Sequence, residues 1–270
     1  MIRDVTLGQY IPGNGVVHRA DPRLKVILLI AFITLIFCAF NFVSLAITAV
    51  GIAVTLLLSD VSLKLYFKSL KVILFIVLFT SVLNLFYGTG TPICEFWVFK
   101  ITLSGIYRAV FVSVRIMLLI LVSSCLTFTT SPTDLTDAIE RLMKPLKVFR
   151  IKVHEIAMMM TIALRFVPTL LEETDKIMAA QKARGADMES GGIIKKVKAL
   201  TPVLIPLFVS AFRRAFELAM AMECRCYQGG DGRTRMKSLH LQKLDALCIV
   251  FMLLLVAGVV IGDIFVPPVI

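Results

Sequence analysis

Five long apolar segments constrain this chain more than any other feature of its sequence. A helix needs roughly 20 mostly apolar residues to cross a bilayer, and the segments that approach this length are Val26 to Phe42, Val43 to Leu58, Val72 to Phe86, Ala109 to Phe128 and Ala246 to Ile261. A soluble protein could not cover them, because 58% of the residues are hydrophobic and only 17% are charged, against about 45–50% and about 25% in soluble domains. The sequence therefore predicts an all-α, polytopic membrane protein with about five transmembrane helices.

The segments that connect the apolar runs are alternately rich and poor in lysine and arginine, and this alternation predicts the orientation of the helices. The Lys and Arg residues number four in 1–25, three in 59–71 and nineteen in 129–243. The alternate segments contain few: none in the turn near Asn41, one in 88–105 and none after Lys243. The pattern predicts a cytosolic N-terminus and a C-terminus outside. It also accounts for most of the net charge of +11. No basic stretch is interleaved with exposed aromatic residues, so no nucleic-acid partner is expected.

The same pattern divides the chain into three parts. These are a membrane region of four spans at 1–128, a cytosolic helical domain with amphipathic helices at 129–243, inserted before the last span, and a final transmembrane helix at 244–270. No signal peptide is expected, because the first apolar run follows a polar stretch. Prolines are expected to break or bend the helices of the insert, since proline removes a backbone donor and clashes with the preceding turn. The expected breaks or bends lie at Pro145, Pro168, Pro202 and Pro206.

Two helices of the insert are predicted to end in an arginine between small residues, and we call these endings the arginine tips. They are Ala183-Arg184-Gly185 and Cys224-Arg225-Cys226. Gly185 suits a helix end because glycine adopts positive φ without penalty, and Gly229-Gly230 is expected to break the chain after the second tip. A cation at a helix C-terminus contributes about 0.3–1 kcal/mol through the helix dipole. The alternative is that both guanidinium groups bind carboxylates of a partner.

Small residues line both helices that carry the arginine tips. Ala179 and Ala183 form a short stripe on the first helix, and Ala211, Ala215 and Ala219 form a longer stripe on the second. Such stripes let two helix backbones approach closely. We therefore expect the two helices to cross at these alanines, with Ala179 close to Ala215.

The sequence offers no catalytic residues. His154-Glu155 begins like a metalloprotease motif, but Met158 stands where the second histidine is needed. The three histidines are far apart in sequence and the six cysteines show no CxxC spacing, so neither a metal site nor a disulfide framework is expected. A phosphate-binding loop of the GxxxxGK(S/T) type does not occur. The sequence therefore predicts a protein that is not an enzyme and binds no cofactor of its own.

Arg115 is the exception to the lack of charge inside the predicted spans. It is either part of a substrate path, or a structural arginine that hydrogen-bonds carbonyls within the bundle or reaches towards the surface. A chain of acidic residues across the membrane, which proton-driven carriers often have, is missing from the sequence. This disfavours a self-sufficient transporter.

Three stretches of the sequence carry a resemblance to a known family. They are Tyr10-Ile11-Pro12-Gly13 followed by His18 to Lys25, Ile162 to Pro168, and Ala180 to Ala186. With these motifs, nearly the whole chain resembles the transmembrane coupling (T) component of energy-coupling factor transporters, the micronutrient-uptake branch of the ABC transporters.

The resemblance implies that Arg184 and Arg225 dock into grooves on two cytosolic ATPase subunits, which bind the ATP. It further implies a separate membrane subunit that captures a vitamin or a transition-metal ion, in the plasma membrane of a bacterium or an archaeon. The second tip departs from the family's Ala-Arg-Gly form, because Cys224 and Cys226 flank its arginine. Both are small, so docking is expected there too. A self-sufficient membrane carrier or channel and a membrane-embedded enzyme are the alternatives.

Overall fold

The computed structural model describes residues 10–86, 92–96, 99–150, 152–186, 192–230 and 243–266. Within these ranges the chain is almost entirely helical, which confirms the predicted all-α class. The helices are α1 (Val16–Arg19), α2 (Pro22–Cys38), α3 (Phe42–Leu58), α4 (Leu63–Phe86), α5 (Leu103–Thr129), α6 (Pro132–Leu142), a 3-10 helix (Lys144–Phe149), α7 (Val153–Ala183), α8 (Ile193–Cys224) and α9 (Lys243–Phe265). A short antiparallel hairpin of β1 (Pro92–Phe96) and β2 (Phe99–Thr102) lies between α4 and α5, where the charge pattern predicts only a connecting segment.

The chain folds as two compact units. The membrane unit consists of Gly8–Ala138 and Lys237–Ile270, and the insert unit contains Ile139–Met236. Each unit has its own helix packing. The membrane unit holds α1 to α5 and α9, and the insert unit holds α7 and α8.

Among the residues that the structure describes, four helices are long and apolar enough to cross a membrane, and a fifth is apolar but shorter. The four are Leu63–Leu85, Leu103–Thr129, Val153–Ala183 and Lys243–Phe265, and the shorter one is Phe42–Leu58. Three of the four belong to the membrane unit, as the sequence predicts. The fourth, α7, meets the criterion by length and composition, although its second half carries Glu172, Glu173 and Asp175. The helices thus confirm a polytopic membrane protein.

The first predicted span is shorter in the structure than its apolar segment. The Asp21 side chain caps α2 by accepting a hydrogen bond from the backbone N–H of Arg23 at 2.9 Å, and Pro22 follows at a position where its missing N–H costs no hydrogen bond. The helix ends at Cys38 rather than at Phe42, where α3 already begins. The break leaves the carbonyls at the end of α2 in need of donors.

Arg115 supplies one of these donors. Its guanidinium donates a hydrogen bond to the carbonyl oxygen of Ala39 at 2.6 Å and lies over the Phe111 ring, 4.7 Å from the ring centre. An unpaired carbonyl in the interior of a membrane protein costs several kcal/mol, so the arginine stabilises the end of α2. This contact supports the structural interpretation of Arg115 over the substrate path.

Hydrogen bonds tie the N-terminal segment to α5 and α9 at one end of the membrane unit. Asp245, which is buried at the start of α9, accepts from the backbone N–H of Asp21 at 2.9 Å. The Lys25 ammonium donates to the carbonyls of Thr129 and His18 at 3.0 and 3.2 Å. Buried polar groups need such partners. The bonds of Asp21 with Asp245 and of Lys25 with Thr129 hold together elements that are more than 100 residues apart in the sequence.

The helix α6 ends at Leu142, just before Pro145, as predicted, but the other three prolines do not break their helices, contrary to the prediction. α7 runs without interruption through Pro168, and α8 runs through Pro202 and Pro206. Pro206 has no N–H for the carbonyl of Pro202, four residues earlier. The side-chain amide of Gln181 from α7 donates to that carbonyl at 3.4 Å. A donor from the neighbouring helix thus replaces the missing backbone bond, and α8 continues.

Candidate functional site

The helices that carry the arginine tips, α7 and α8, pack antiparallel to each other. Glu173 of α7 accepts hydrogen bonds from the hydroxyl of Ser210 and from the guanidinium of Arg214, the latter at 3.0 Å. Further along α7, Gln181 contacts Pro202. Because a later residue of α7 meets an earlier residue of α8, the helices run in opposite directions. The ion pair and the Gln181 hydrogen bond fix the register of the two helices.

The predicted alanine crossing does not match this register. Ala179 faces the part of α8 just after Pro202, because Gln181 contacts Pro202. Ala215 lies about ten residues beyond that part of α8, a distance of about 15 Å in a helix. Ala179, Ala183, Ala215 and Ala219 are exposed and Ala211 is only half-buried. The prediction that Ala179 packs against Ala215 is therefore wrong, because polar pairs rather than the small residues set the contact.

The first arginine tip ends α7 in a Schellman motif. The N–H of Ala186 donates to the carbonyl of Gln181 at 3.0 Å, and the N–H of Gly185 donates to the carbonyl of Lys182 at 3.0 Å. Gly185 has a φ of +84°, in the left-handed region that this motif requires. Glycine occupies that region without steric cost. The predicted capping role of Gly185 is confirmed.

The second arginine tip ends α8 in the same motif with a different residue. The N–H of Tyr227 donates to the carbonyl of Met222 at 3.1 Å, and the N–H of Cys226 donates to the carbonyl of Glu223 at 2.8 Å. Cys226 takes the place that Gly185 holds in the first tip, with a φ of +52°. The helix therefore ends at the tip itself, as the sequence predicts, and Gly229-Gly230 follow after the end of the helix.

Both tip arginines stand in equivalent positions. Arg184 and Arg225 are each the residue at the C-cap, immediately before the left-handed residue. Both side chains are exposed, and in the part of the chain that the structure describes neither pairs with a carboxylate. The small neighbours of each arginine leave its guanidinium open to a partner's carboxylate, which it can bind through two parallel hydrogen bonds.

A cavity shows where the second tip lies relative to α7. It has a volume of about 490 Å³ and is lined by Met158, from the start of α7, and by Met222 with Arg225 to Gly229. The end of α8 is therefore next to the start of α7. Arg184 lies 26 residues further along α7, which corresponds to about 39 Å of helix. The two arginine tips stand at opposite ends of one helix pair.

The segment after the second tip lies against the start of α7, a contact that nothing in the sequence indicates. A Cβ atom at Gly230 would stand 2.1 Å from Cδ2 of His154, so only glycine fits. His154 Nδ1 is in turn 3.1 Å from the carboxylate of Glu140, which is buried. From the sequence, Gly229-Gly230 predicts only a break in the chain and not this contact with α7. We call Glu140, His154 and Gly230 the glycine clasp.

We expect Cys226→Gly to stabilise the protein. A non-glycine residue with a left-handed backbone costs about 1–2 kcal/mol, and glycine at position 226 removes this cost. Part of the gain in stability is offset by the greater freedom of glycine in the unfolded chain. A gain of about 0.5–1 kcal/mol is therefore expected, measured as a higher Tm of the detergent-solubilised protein. Gly185→Ala is the matched change at the first tip and should lower the Tm. A lower Tm for Cys226→Gly would contradict the strain at this position.

Comparison with known proteins agrees with this architecture. The CbiQ family, described as cobalt transport protein, matches residues 13–237. The energy-coupling factor transporter transmembrane protein EcfT of Ruminiclostridium cellulolyticum is 52% identical over 92% of each chain. The EcfT proteins of Thermosediminibacter oceani and Bacillus subtilis are 49% and 45% identical, each over 95% of this chain and 97% of its own length. The chain therefore belongs to the CbiQ family and is a transmembrane component of an energy-coupling factor transporter.

Proposed function

We propose that this chain transmits ATP-driven motion from two cytosolic ATPase subunits to a separate membrane subunit, which captures a vitamin or a transition-metal ion. One observation carries the proposal. Two exposed arginines with the same helix-end geometry stand at the two ends of a single helix pair, about 39 Å apart. Two equivalent sites at that separation suit two copies, or two close relatives, of one partner.

Arg184 and Arg225 are the residues that would dock into the ATPases. Their guanidinium groups are planar donors that match a carboxylate, and Ala183, Gly185, Cys224 and Cys226 add little bulk beside them. The ATP itself would be bound by the partner subunits. The region 129–243 then acts as a cytosolic coupling domain, between the four spans of 1–128 and the final span of 244–270.

The charge distribution supports a cytosolic N-terminus and a C-terminus outside the cell. Cytosolic segments carry most Lys and Arg, and nineteen of these residues lie in 129–243. The hydrogen bonds of Asp21, Lys25 and Asp245 lie at the end of the membrane unit that this orientation puts towards the cytosol. The arginine tips are then on the side where ATP is available.

The surface of α8 supports a membrane partner. Phe208, Phe212 and Phe216 follow one another at intervals of one helical turn and are 61%, 73% and 73% exposed. Monomeric soluble proteins rarely expose large contiguous apolar patches. We assign this face to the subunit that captures the substrate, because exposed apolar surface of this kind marks a protein or membrane contact.

Co-purification tests the proposed function. The chain, tagged and solubilised from native membranes, is expected to bring two nucleotide-binding subunits and one further membrane protein with it. Purified alone and reconstituted in liposomes, it should transport nothing. Substrate uptake by the chain alone would favour the alternative, a self-sufficient carrier or channel, and would contradict the coupling role.

A further inference from the structure

Three lysines form a cationic stripe at the start of α4. Lys64, Lys68 and Lys71 are spaced by four and three residues, so they lie on one face of the helix. All three side chains are exposed. Within the described residues none of them is paired with a carboxylate. The stripe is therefore an accessible cluster of positive charge at the start of a helix that is otherwise apolar.

The same face of α4 continues as an apolar stripe. Phe75, Leu78 and Val82 follow Lys71 at the same helical spacing, and Phe75 is 77% exposed. The opposite face, which contains Tyr66 and Val77, is buried against the rest of the membrane unit. One outward face of α4 thus carries positive charge at one end and apolar side chains at the other.

The dimensions of this face match those of a lipid. From Lys71 to Val82 are 11 residues, or about 16 Å of helix, which is close to half of the hydrocarbon core of a bilayer of about 30 Å. The apolar stripe therefore has the length of the acyl chains of one leaflet. With this apolar stripe in one leaflet, the lysines would lie at the depth of the headgroups, where ammonium groups attract anionic lipids.

We propose that Lys64, Lys68 and Lys71 bind the phosphate headgroup of an anionic phospholipid whose acyl chains lie along Phe75, Leu78 and Val82. The occupant is a lipid rather than a soluble phosphate, because the cationic and apolar parts of the site are continuous along one exposed helix face. A lipid that is held there would also fix the depth of α4 in the membrane. The proposal is independent of the docking role of the arginine tips.

The test measures lipid selectivity with the purified full chain. The protein is placed in nanodiscs of phosphatidylcholine that contain phosphatidylglycerol with brominated acyl chains. Tryptophan introduced by Phe75→Trp, in a Trp97→Phe background that removes the native tryptophan, reports the neighbouring lipid through quenching. The triple variant Lys64→Gln, Lys68→Gln, Lys71→Gln is expected to lose at least tenfold in preference for phosphatidylglycerol, since each lysine near an anionic surface contributes roughly fivefold.

A matched control removes the same charge elsewhere. The variant Lys144→Gln, Lys176→Gln, Lys198→Gln loses three exposed lysines outside α4 and is expected to keep its preference within twofold. Equal Tm values for the two triple variants would exclude misfolding as the cause. Equal loss in both would overturn the proposal, because the preference would then depend on net charge alone.

A second arm separates the lipid from other occupants. Glycerol phosphate at a concentration equal to that of the lipid should leave the quenching unchanged; displacement by it would identify a soluble phosphate site. A photo-crosslinker at position 75 in native membranes should label phospholipid. Consistent capture of a protein instead would make this face a subunit interface and would also overturn the proposal.

Discussion

The double charge reversal Arg184→Glu with Arg225→Glu is expected to abolish uptake and to uncouple ATP hydrolysis from transport. Removing one member of a desolvated, hydrogen-bonded charge pair costs about 2–5 kcal/mol at an interface, and reversal adds repulsion from the partner's carboxylate. At about 3 kcal/mol, each single reversal should weaken the binding of one ATPase by roughly 100-fold. Uptake in cells and ATPase binding to the purified variants measure these effects.

Arg213→Glu is the matched control for the charge reversals. Arg213 is also an exposed arginine of α8, but it lies more than three turns before the second tip. This variant should bind both ATPases and support normal uptake. The docking model would fail if the double variant inserted into the membrane, as measured by its amount in the membrane fraction, and still transported at the wild-type rate.

Gly230→Ala is expected to impair coupling through the second tip alone. The added Cβ would overlap Cδ2 and Cγ of His154, at 2.1 and 2.4 Å. These ring atoms are near the helix backbone, so the ring cannot turn out of the way. Overpacking of this kind costs about 1–3 kcal/mol, and the segment that follows Arg225 must move. ATPase binding at Arg225 should weaken at least tenfold, while binding at Arg184 stays unchanged.

Two further variants distinguish displacement of the tip from general destabilisation. Gly192→Ala is the matched control, because a Cβ atom there meets nothing within 4 Å. His154→Ala combined with Gly230→Ala removes the ring that causes the overlap and should restore most of the binding. If the double variant binds as weakly as Gly230→Ala, the glycine clasp does not position Arg225.

The features that depend on local sequence were predicted well. Apolar runs gave the helices of the membrane unit, and the Asp21-Pro22 pair and Gly185 mark helix ends through their own chemistry. The second tip shows the limit of this reasoning. Cys226 has no intrinsic preference for the left-handed region, and it adopts a φ of +52° because the hydrogen bonds that end α8 require it.

The features that depend on contacts between distant residues were not predicted. Pro206 signals a helix break when it is read alone, but Gln181 of the other helix supplies the donor that the proline removes. The register of α7 and α8 follows from Glu173 with Ser210 and Arg214, whereas the alanines offered an equally plausible pairing. The clasp of His154 and Gly230 joins residues that are 76 positions apart. Spacing within one helix contains no information on any of these contacts.

The antiparallel helix pair has a geometric consequence for how closing ATPases could move the membrane subunit. A straight α7 of about 39 Å between the two arginines cannot shorten, because its rise per residue is fixed. If the docked partners approach each other by about 5 Å, α7 must tilt by roughly 30° away from the line that joins them, or it must bend at Pro168. A small closing stroke thus becomes a large rotation, and the proline residues decide how much of it is lost as bending.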